Sequence, residues 1–238
     1  MCGEKCATDY GISREEQDDF ALLSYERALK SIEDGLFDAE IAPVPVPQGR
    51  GRDPVMFTTD EEPGNFRGAD KLKGLRPAFD KEGSVTAANA SKLNDGACAV
   101  VIMSRARAEA VGAKPLASIL GFADGARDPM DFTVAPAITV PSALERAGVT
   151  MADVDLHEVN EAFAVVALAN AKLLDIPLEK LNVRGGAIAL GHPIGASGAR
   201  IVATLAHALR EDCGPGAIGC ASICNGGGGA SALVIRSE

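Results

Sequence analysis

The sequence contains no tryptophan, and aromatic residues make up only 4% of its 238 positions. A core without large rings must be filled by small and branched aliphatic side chains, and a hydrophobic content of 47% supplies enough of them for a globular chain. Long apolar runs are missing too. No stretch approaches the ~18 consecutive apolar residues of a membrane span, and with the first twenty residues polar and acidic no signal or transit peptide is expected in this chain. Basic residues number 23 against 33 acidic ones, for a net charge of −10, so neither nucleic acid nor an anionic membrane is an expected partner. Any anionic ligand needs a local basic island. The six cysteines (Cys2, Cys6, Cys98, Cys213, Cys220 and Cys224) sit in a chain too large and too apolar to depend on disulfides. Cys220 and Cys224 have no second thiol pair or His-x-x-x-His beside them to complete a zinc site. Free thiols in an intracellular protein are expected, one of them chemically active.

The length fits one large or two modest domains. Ser13-Arg14-Glu15-Glu16 reads as a capping box opening a helix from about Ser13 to Asp34, with Gly35 as its stop. Six prolines between positions 41 and 80 predict a loop-rich excursion with short strands at most. Cys98 to Met103 is a continuous apolar run read as a buried strand, feeding a capped helix over Ser104–Gly112. Beyond it, strands are predicted near 116–123, 155–159, 182–187, 218–224 and 230–236. Helices are predicted near 138–147, 161–174 and 197–210. This alternation predicts a layered α/β domain with a largely buried sheet.

Four segments place polar or thiol groups where a strand hands over to glycine or to a helix, the usual location of α/β sites. Asn160-Glu161-Ala162-Phe163 follows an apolar strand; alone, Asn160 is also explained as a helix N-cap. Gly185 to Arg200 holds His192 between Gly191 and Pro193 among small residues, a natural setting for a proton shuttle or for a loop histidine satisfied by backbone. Cys224-Asn225 followed by four glycines can aim N–H groups at an oxyanion beside a thiol, or can be a core cysteine before a hairpin. Gly83 to Gly96 is rich in small and hydroxyl residues, as a linker would also be. Upstream, Arg67, Lys71, Lys73 and Arg76 against Asp70 form the basic island that a polyanion requires.

Taken together, in this order and spacing, Ile12 to Asp18, Thr86 to Gly96, Asn160 to Phe163, Gly191-His192-Pro193 and Cys224-Asn225-Gly226-Gly227-Gly228 resemble the thiolase family, most closely its acetoacetyl-CoA members. The resemblance runs the whole length but begins in the middle of the family pattern. It implies a thiolase-like α/β/α C-terminal domain over 115–238, a partial loop domain over 1–92, and a strand and helix over 93–114 that return to a mostly missing first domain. The cysteine that becomes acylated belongs to that missing half, so this chain is expected to be inactive as a fragment.

The resemblance also assigns roles. It implies acyl transfer that condenses two acetyl-CoA to acetoacetyl-CoA, or the reverse thiolysis. His192 corresponds to the activating histidine, Cys224 to the proton-shuttling cysteine, Asn160 to the holder of an oxyanion-hole water, and the Gly226 N–H to a donor of a second hole. Ser91 corresponds to a pantetheine contact, Phe163 and Tyr25 fall among substrate-binding positions, and Arg67 and Lys71 lie where the nucleotide end of coenzyme A binds. Tyr25, Ala87, Ala88, Ala90 and Ile188 fall on a potassium site of the mitochondrial-type enzymes. No covalent cofactor is implied, coenzyme A thioesters are the implied partners, and the full-length form is expected to be a homo-oligomer in mitochondria or cytoplasm. The rival is a non-catalytic CoA-binding or lipid-carrier module of the same fold. A ketoacyl synthase fits less well, because its Cys-His-His arrangement differs from Gly-His-Pro paired with Cys-Asn-Gly-Gly. His157 and His207 match no catalytic position and are read as structural.

Overall fold

The computed structural model describes residues 1–238. After a helix not anticipated from sequence, α1 (Cys2–Tyr10), comes α2 (Arg14–Glu33), with the Ser13/Glu16 capping box formed as expected. Gly35 follows it at φ 70. The proline-rich stretch holds β1 (Val44–Val46) and β2 (Val55–Phe57), paired antiparallel, a single 3-10 turn over Pro63–Asn65, and α3 (Ala69–Lys73). Next are α4 (Arg105–Val111), capped by Ser104 and stopped by left-handed Gly112, and β3 (Ala117–Ala126). The remainder runs α5 (Pro136–Ala147), β4 (Leu156–Val159), α6 (Ala164–Leu173), α7 (Ala187–Leu190), α8 (Ile194–Ala208), β5 (Ile218–Cys224) and β6 (Gly229–Ser237).

The main sheet has the order β3-β6-β5-β4, with β4 parallel to β5 and the other neighbours antiparallel. One face is covered by Val140, Ala143 and Leu144 of α5, which join Ala123, Cys220, Ala232 and Val234 of the sheet in the largest apolar cluster. Ala164, Ala167 and Ala171 of α6 and Phe20, Ala21, Tyr25 and Ala28 of α2 extend it. The opposite face packs Leu156, Ala221 and Ile235 against Ile201, Leu205 and Leu209 at α8. The result is the expected α/β/α layering, with alanines where rings are lacking. No helix is long and apolar enough to cross a membrane.

Three local expectations are corrected. Cys98–Met103 is not a strand and is not buried: Val101 is 86% exposed and Ile102 71%, and the run has no ladder partner. The run pairs with no edge of either sheet, and apolarity alone does not make a strand. The predicted strand at 182–187 is absent because Asn182 turns the backbone into the left-handed region (φ 47) and pairs through its side chain instead. Its Oδ1 accepts from the Val159 N–H and its Nδ2 donates to Val159 O, both at 2.8 Å, so the amide itself closes the edge of β4. The helix expected from 161 begins at Ala164, and Asn160 is not its cap. The Ala164 N–H donates to Asn89 O at 2.8 Å and the Ser91 N–H to Ala162 O at 3.0 Å, so the 89–91 segment holds Ala162 and an extended Phe163 outside the helix.

Candidate active site

Three segments distant in sequence meet at one end of the sheet. β5 delivers Cys224 and turns through Asn225–Gly228, closed by an Asn225 N–H to Gly229 O bond of 2.8 Å. That turn requires glycine at 228, where φ is 100 and a Cβ would stand 2.2 Å from Arg127 O. Beyond β4, the Asn160 N–H donates to Ser222 O at 3.0 Å, which sets Asn160 beside the end of β5. The third segment carries His192, whose N–H donates to Lys92 O at 2.9 Å.

His192, Cys224 and Gly226 line a cavity of about 610 Å³, together with Ser91, Phe163 and a largely apolar wall that includes Phe79, Leu93, Phe132 and Ile194. Gly195, Gly198 and Gly226 belong to this wall, and a Cβ at any of them would meet nothing within 4 Å. Neither packing nor a positive φ requires glycine at these three positions. What the missing side chains provide is clearance for a ligand.

A chain of hydrogen bonds orients the imidazole. Ser197 Oγ donates to Pro193 O at 3.1 Å and therefore accepts from His192 Nδ1–H, 2.6 Å away. This leaves Nε2 as the acceptor, with Asn160 Nδ2 donating to it at 3.4 Å. Burial, with the positive charge of Arg200 adding to it, holds the His192 pKa below its ordinary value, so the ring is neutral at pH 7 with its lone pair on Nε2. Burial pushes the Cys224 thiol up to about 12, which makes it a proton donor at rest and not a thiolate. Asn160 Oδ1 is buried without a protein partner, and an unmet acceptor of this kind costs about 1–3 kcal/mol.

Glu161 anchors the constellation from behind. Its carboxylate accepts from Ser24 Oγ at 2.7 Å, Asn182 Nδ2 at 2.9 Å and the Ile188 N–H at 3.1 Å, joining α2, the β4 edge and the short helix that precedes His192. Desolvation nevertheless raises its pKa, the three donors working against that shift.

The other expected residues are spread more widely. Ser91 stands on the cavity wall, with its N–H and Oγ both donating to Ala162 O at 3.0 Å. Phe163 lines the cavity edge-on to Phe79, ring centroids 6.4 Å apart. Tyr25 does not line it; its ring is buried in the core and its hydroxyl accepts from Lys92 Nζ at 3.0 Å. Ala90 is on the wall and bridges Phe163, Ile188 is buried with its N–H on Glu161, and Ala87 and Ala88 lie between Thr86 and Ala90. Arg67 and Lys71 are exposed and outside the cavity. The Arg67 guanidinium donates to Gly64 O and Phe66 O, and Lys73 of the same island pairs with Asp19 at 2.7 Å. His157 lies in β4, driven down to about 4 by burial, and is not part of the cavity.

Sequence reasoning overlooked Ser197, the apolar wall and Lys92. Ser197 had a usable signal, since five residues past His192 a helix start brings a hydroxyl back toward the ring. Phe79 and Phe132 had none.

Family models for the thiolase N-terminal domain and the thiolase C-terminal domain match residues 1–106 and 113–237. The acetyl-CoA acetyltransferase IB of Candida tropicalis is 54% identical over 237 residues, which is 99% of this chain and 58% of that protein. Among solved structures, the Bacillus anthracis acetyl-CoA acetyltransferase superposes with a TM-score of 0.95 at 45% identity. An Ascaris suum thiolase in complex with coenzyme A superposes at 0.92 and 44%. Both cover 100% of this chain and 59% of their own. The chain thus spans a little under three fifths of the length of the relatives it matches. Two consecutive family models that together cover nearly every residue, and a relative 54% identical along the sequence, make this chain a member of the thiolase family.

Proposed function

We propose that this chain carries proton-transfer and oxyanion-binding groups of a CoA-thioester acyltransferase, an acetyl-CoA C-acetyltransferase that condenses two acetyl-CoA or cleaves acetoacetyl-CoA. The observation that carries this reading is the convergence of His192, Cys224 and a glycine-lined wall on one cavity. In the cleavage direction, an acyl-accepting thiolate adds to the 3-keto carbon and the carbon–carbon bond breaks. The enolate of acetyl-CoA then takes the Cys224 proton, and an incoming CoA thiol later returns one to Cys224. His192 holds the thioester oxygen or relays a proton at Nε2, depending on its protonation, and Asn160 steadies it. Gly226 lines the cavity with open space beside it, and its N–H is this reading's donor to a second oxyanion. The basic island at Arg67 and Lys71 is the reading's site for the phosphates of coenzyme A.

Of the six thiols Cys224 alone lines the cavity, and it is already assigned the proton. The acyl acceptor therefore has no candidate in this cavity, and residues 1–238 alone bind and enolise acetyl-CoA without completing turnover. The same observation favours, as second reading, a non-catalytic CoA-binding module of the same fold.

Deuterium wash-in at the acetyl-CoA methyl group, followed by proton NMR in D₂O, separates the two because enolisation needs no acyl acceptor. The expected result is saturable exchange that is lost in Cys224→Ser. Its rate should rise tenfold per pH unit between 7 and 9, as the thiolate fraction does below a pKa of about 12. Binding without exchange establishes the module, and absence of binding overturns both readings.

A further inference from the structure

Tyr25 is the one side-chain oxygen of the potassium site that the family resemblance implies, and in this chain a lysine already holds it. Lys92 Nζ donates to Tyr25 Oη at 3.0 Å and to Glu62 Oε2 at 2.6 Å, and lies 5.6 Å from the centre of the Tyr25 ring. The ring is 4% exposed and stacked on Phe66 at 4.8 Å, which fixes the oxygen beside the ammonium. An alkali ion on that oxygen would share it with an ammonium group and be repelled by it. The residues present do not fit a potassium ion bound through Tyr25.

We propose that Lys92 is the built-in cation of this loop cluster, taking the place of an alkali ion and positioning His192 through its own backbone. The Glu62 carboxylate, 2.6 Å from Nζ, supplies the counter-charge of the ammonium, and Tyr25 Oη accepts a second of its N–H bonds at 3.0 Å. Two connections run from the Lys92–Glu62 pair to the cavity. The Lys92 carbonyl accepts the His192 N–H at 2.9 Å. The second oxygen of Glu62 accepts from Asn94 Nδ2 at 3.2 Å, and Asn94 lies against Gly191, where a Cβ would stand 2.3 Å from Asn94 Oδ1. One ion pair thus ties α2, the loop before α3 and both residues of the Gly191-His192 step. An alkali ion can exchange with solvent; a lysine cannot, so the order it imposes is independent of the salt present. The replacement of the cation does not rest on the acyltransfer reading; its consequence for the chemistry at His192 does.

The test is thermal unfolding of the 238-residue chain in KCl and NaCl at equal ionic strength, with the His192 amide followed by NMR. Wild type is expected to melt at the same temperature in both salts. Lys92→Met is expected to melt lower, to become more stable in KCl than in NaCl, and to shift the His192 amide; Lys92→Arg restores indifference to the salt. Stabilisation of the wild type by potassium over sodium overturns the proposal without any variant, as does a Lys92→Met protein indifferent to the salt. Should Lys92→Met not fold, Glu62→Gln serves for the positioning half: it keeps the ammonium, is expected to remain indifferent to the salt, and must displace the His192 amide. An unmoved amide there overturns the coupling. None of these readouts needs turnover, so failure of the acyltransfer reading leaves them interpretable.

Discussion

Replacing Ser197 with alanine isolates the contact that selects the histidine tautomer. Ser197 is fully buried, its oxygen is 2.6 Å from His192 Nδ1, and its own proton is committed to Pro193 O. Removing it strands a half-buried Nδ1–H without a partner, while Asn160 Nδ2 continues to face Nε2 at 3.4 Å. A buried hydrogen bond of this kind is worth roughly 0.5–1.5 kcal/mol net, which converts to about a 2- to 13-fold change in the ratio of the two tautomers. The chain has only three histidines, so long-range ¹H–¹⁵N correlation spectra resolve each ring. Wild type should show His192 protonated at Nδ1 at pH 7.5, and Ser197→Ala should move its nitrogen shifts toward the averaged values of an exchanging pair. Ser197→Thr, which keeps the hydroxyl, should restore them. An Nδ1–H signature unchanged in Ser197→Ala would refute the hydrogen-bond chain as the source of orientation, and with it the use of Nε2 as the working nitrogen.

Two further expectations concern the frame of the site. Glu158 is fully enclosed in β4, and burial raises its pKa to about 8 despite the opposing charge of Arg200. A carboxyl raised in the folded state stabilises below its ordinary pKa near 4.5 and loses that contribution as pH climbs toward 8. By pH 7 the loss amounts to ~3 kcal/mol, at 1.36 kcal/mol per pH unit. Urea denaturation at pH 5 and pH 7 should show a decline in the wild type that is smaller by roughly that amount in Glu158→Gln, the raised carboxyls of Glu40 and Glu161 supplying the remainder; an equal decline in the two proteins would refute it. The glycines of 226–229 should separate by role. Gly228→Ala is expected to lose at least about 2 kcal/mol in the same assay, since φ is 100 and Arg127 O blocks the Cβ. Gly226→Ala should stay within about 0.5 kcal/mol of wild type and weaken acetyl-CoA binding by calorimetry, because its Cβ enters the open cavity.

Elements governed by neighbours in sequence are legible in the sequence alone. The Ser13/Glu16 box, the Gly112 stop and the β5 strand ending at Cys224 depend on caps, positive φ and apolar runs, all of which act over a few residues. The motif residues Asn160, His192 and Cys224 were also readable, as polar groups at the ends of such elements. Tertiary structure decided whatever required a distant partner. Asn182 replaces a strand because its side chain finds Val159, and α6 starts late because Asn89 and Ser91 occupy the backbone before it. The apolar run at Cys98–Met103 lies exposed because no strand edge in the chain receives it. The cavity itself is of this second kind, since Ser91, His192 and Cys224 reach its wall from three segments far apart in sequence. Local patterns encode which element a residue joins and the chemistry it carries; whether that chemistry meets another group depends on packing between layers, which no spacing in the sequence specifies.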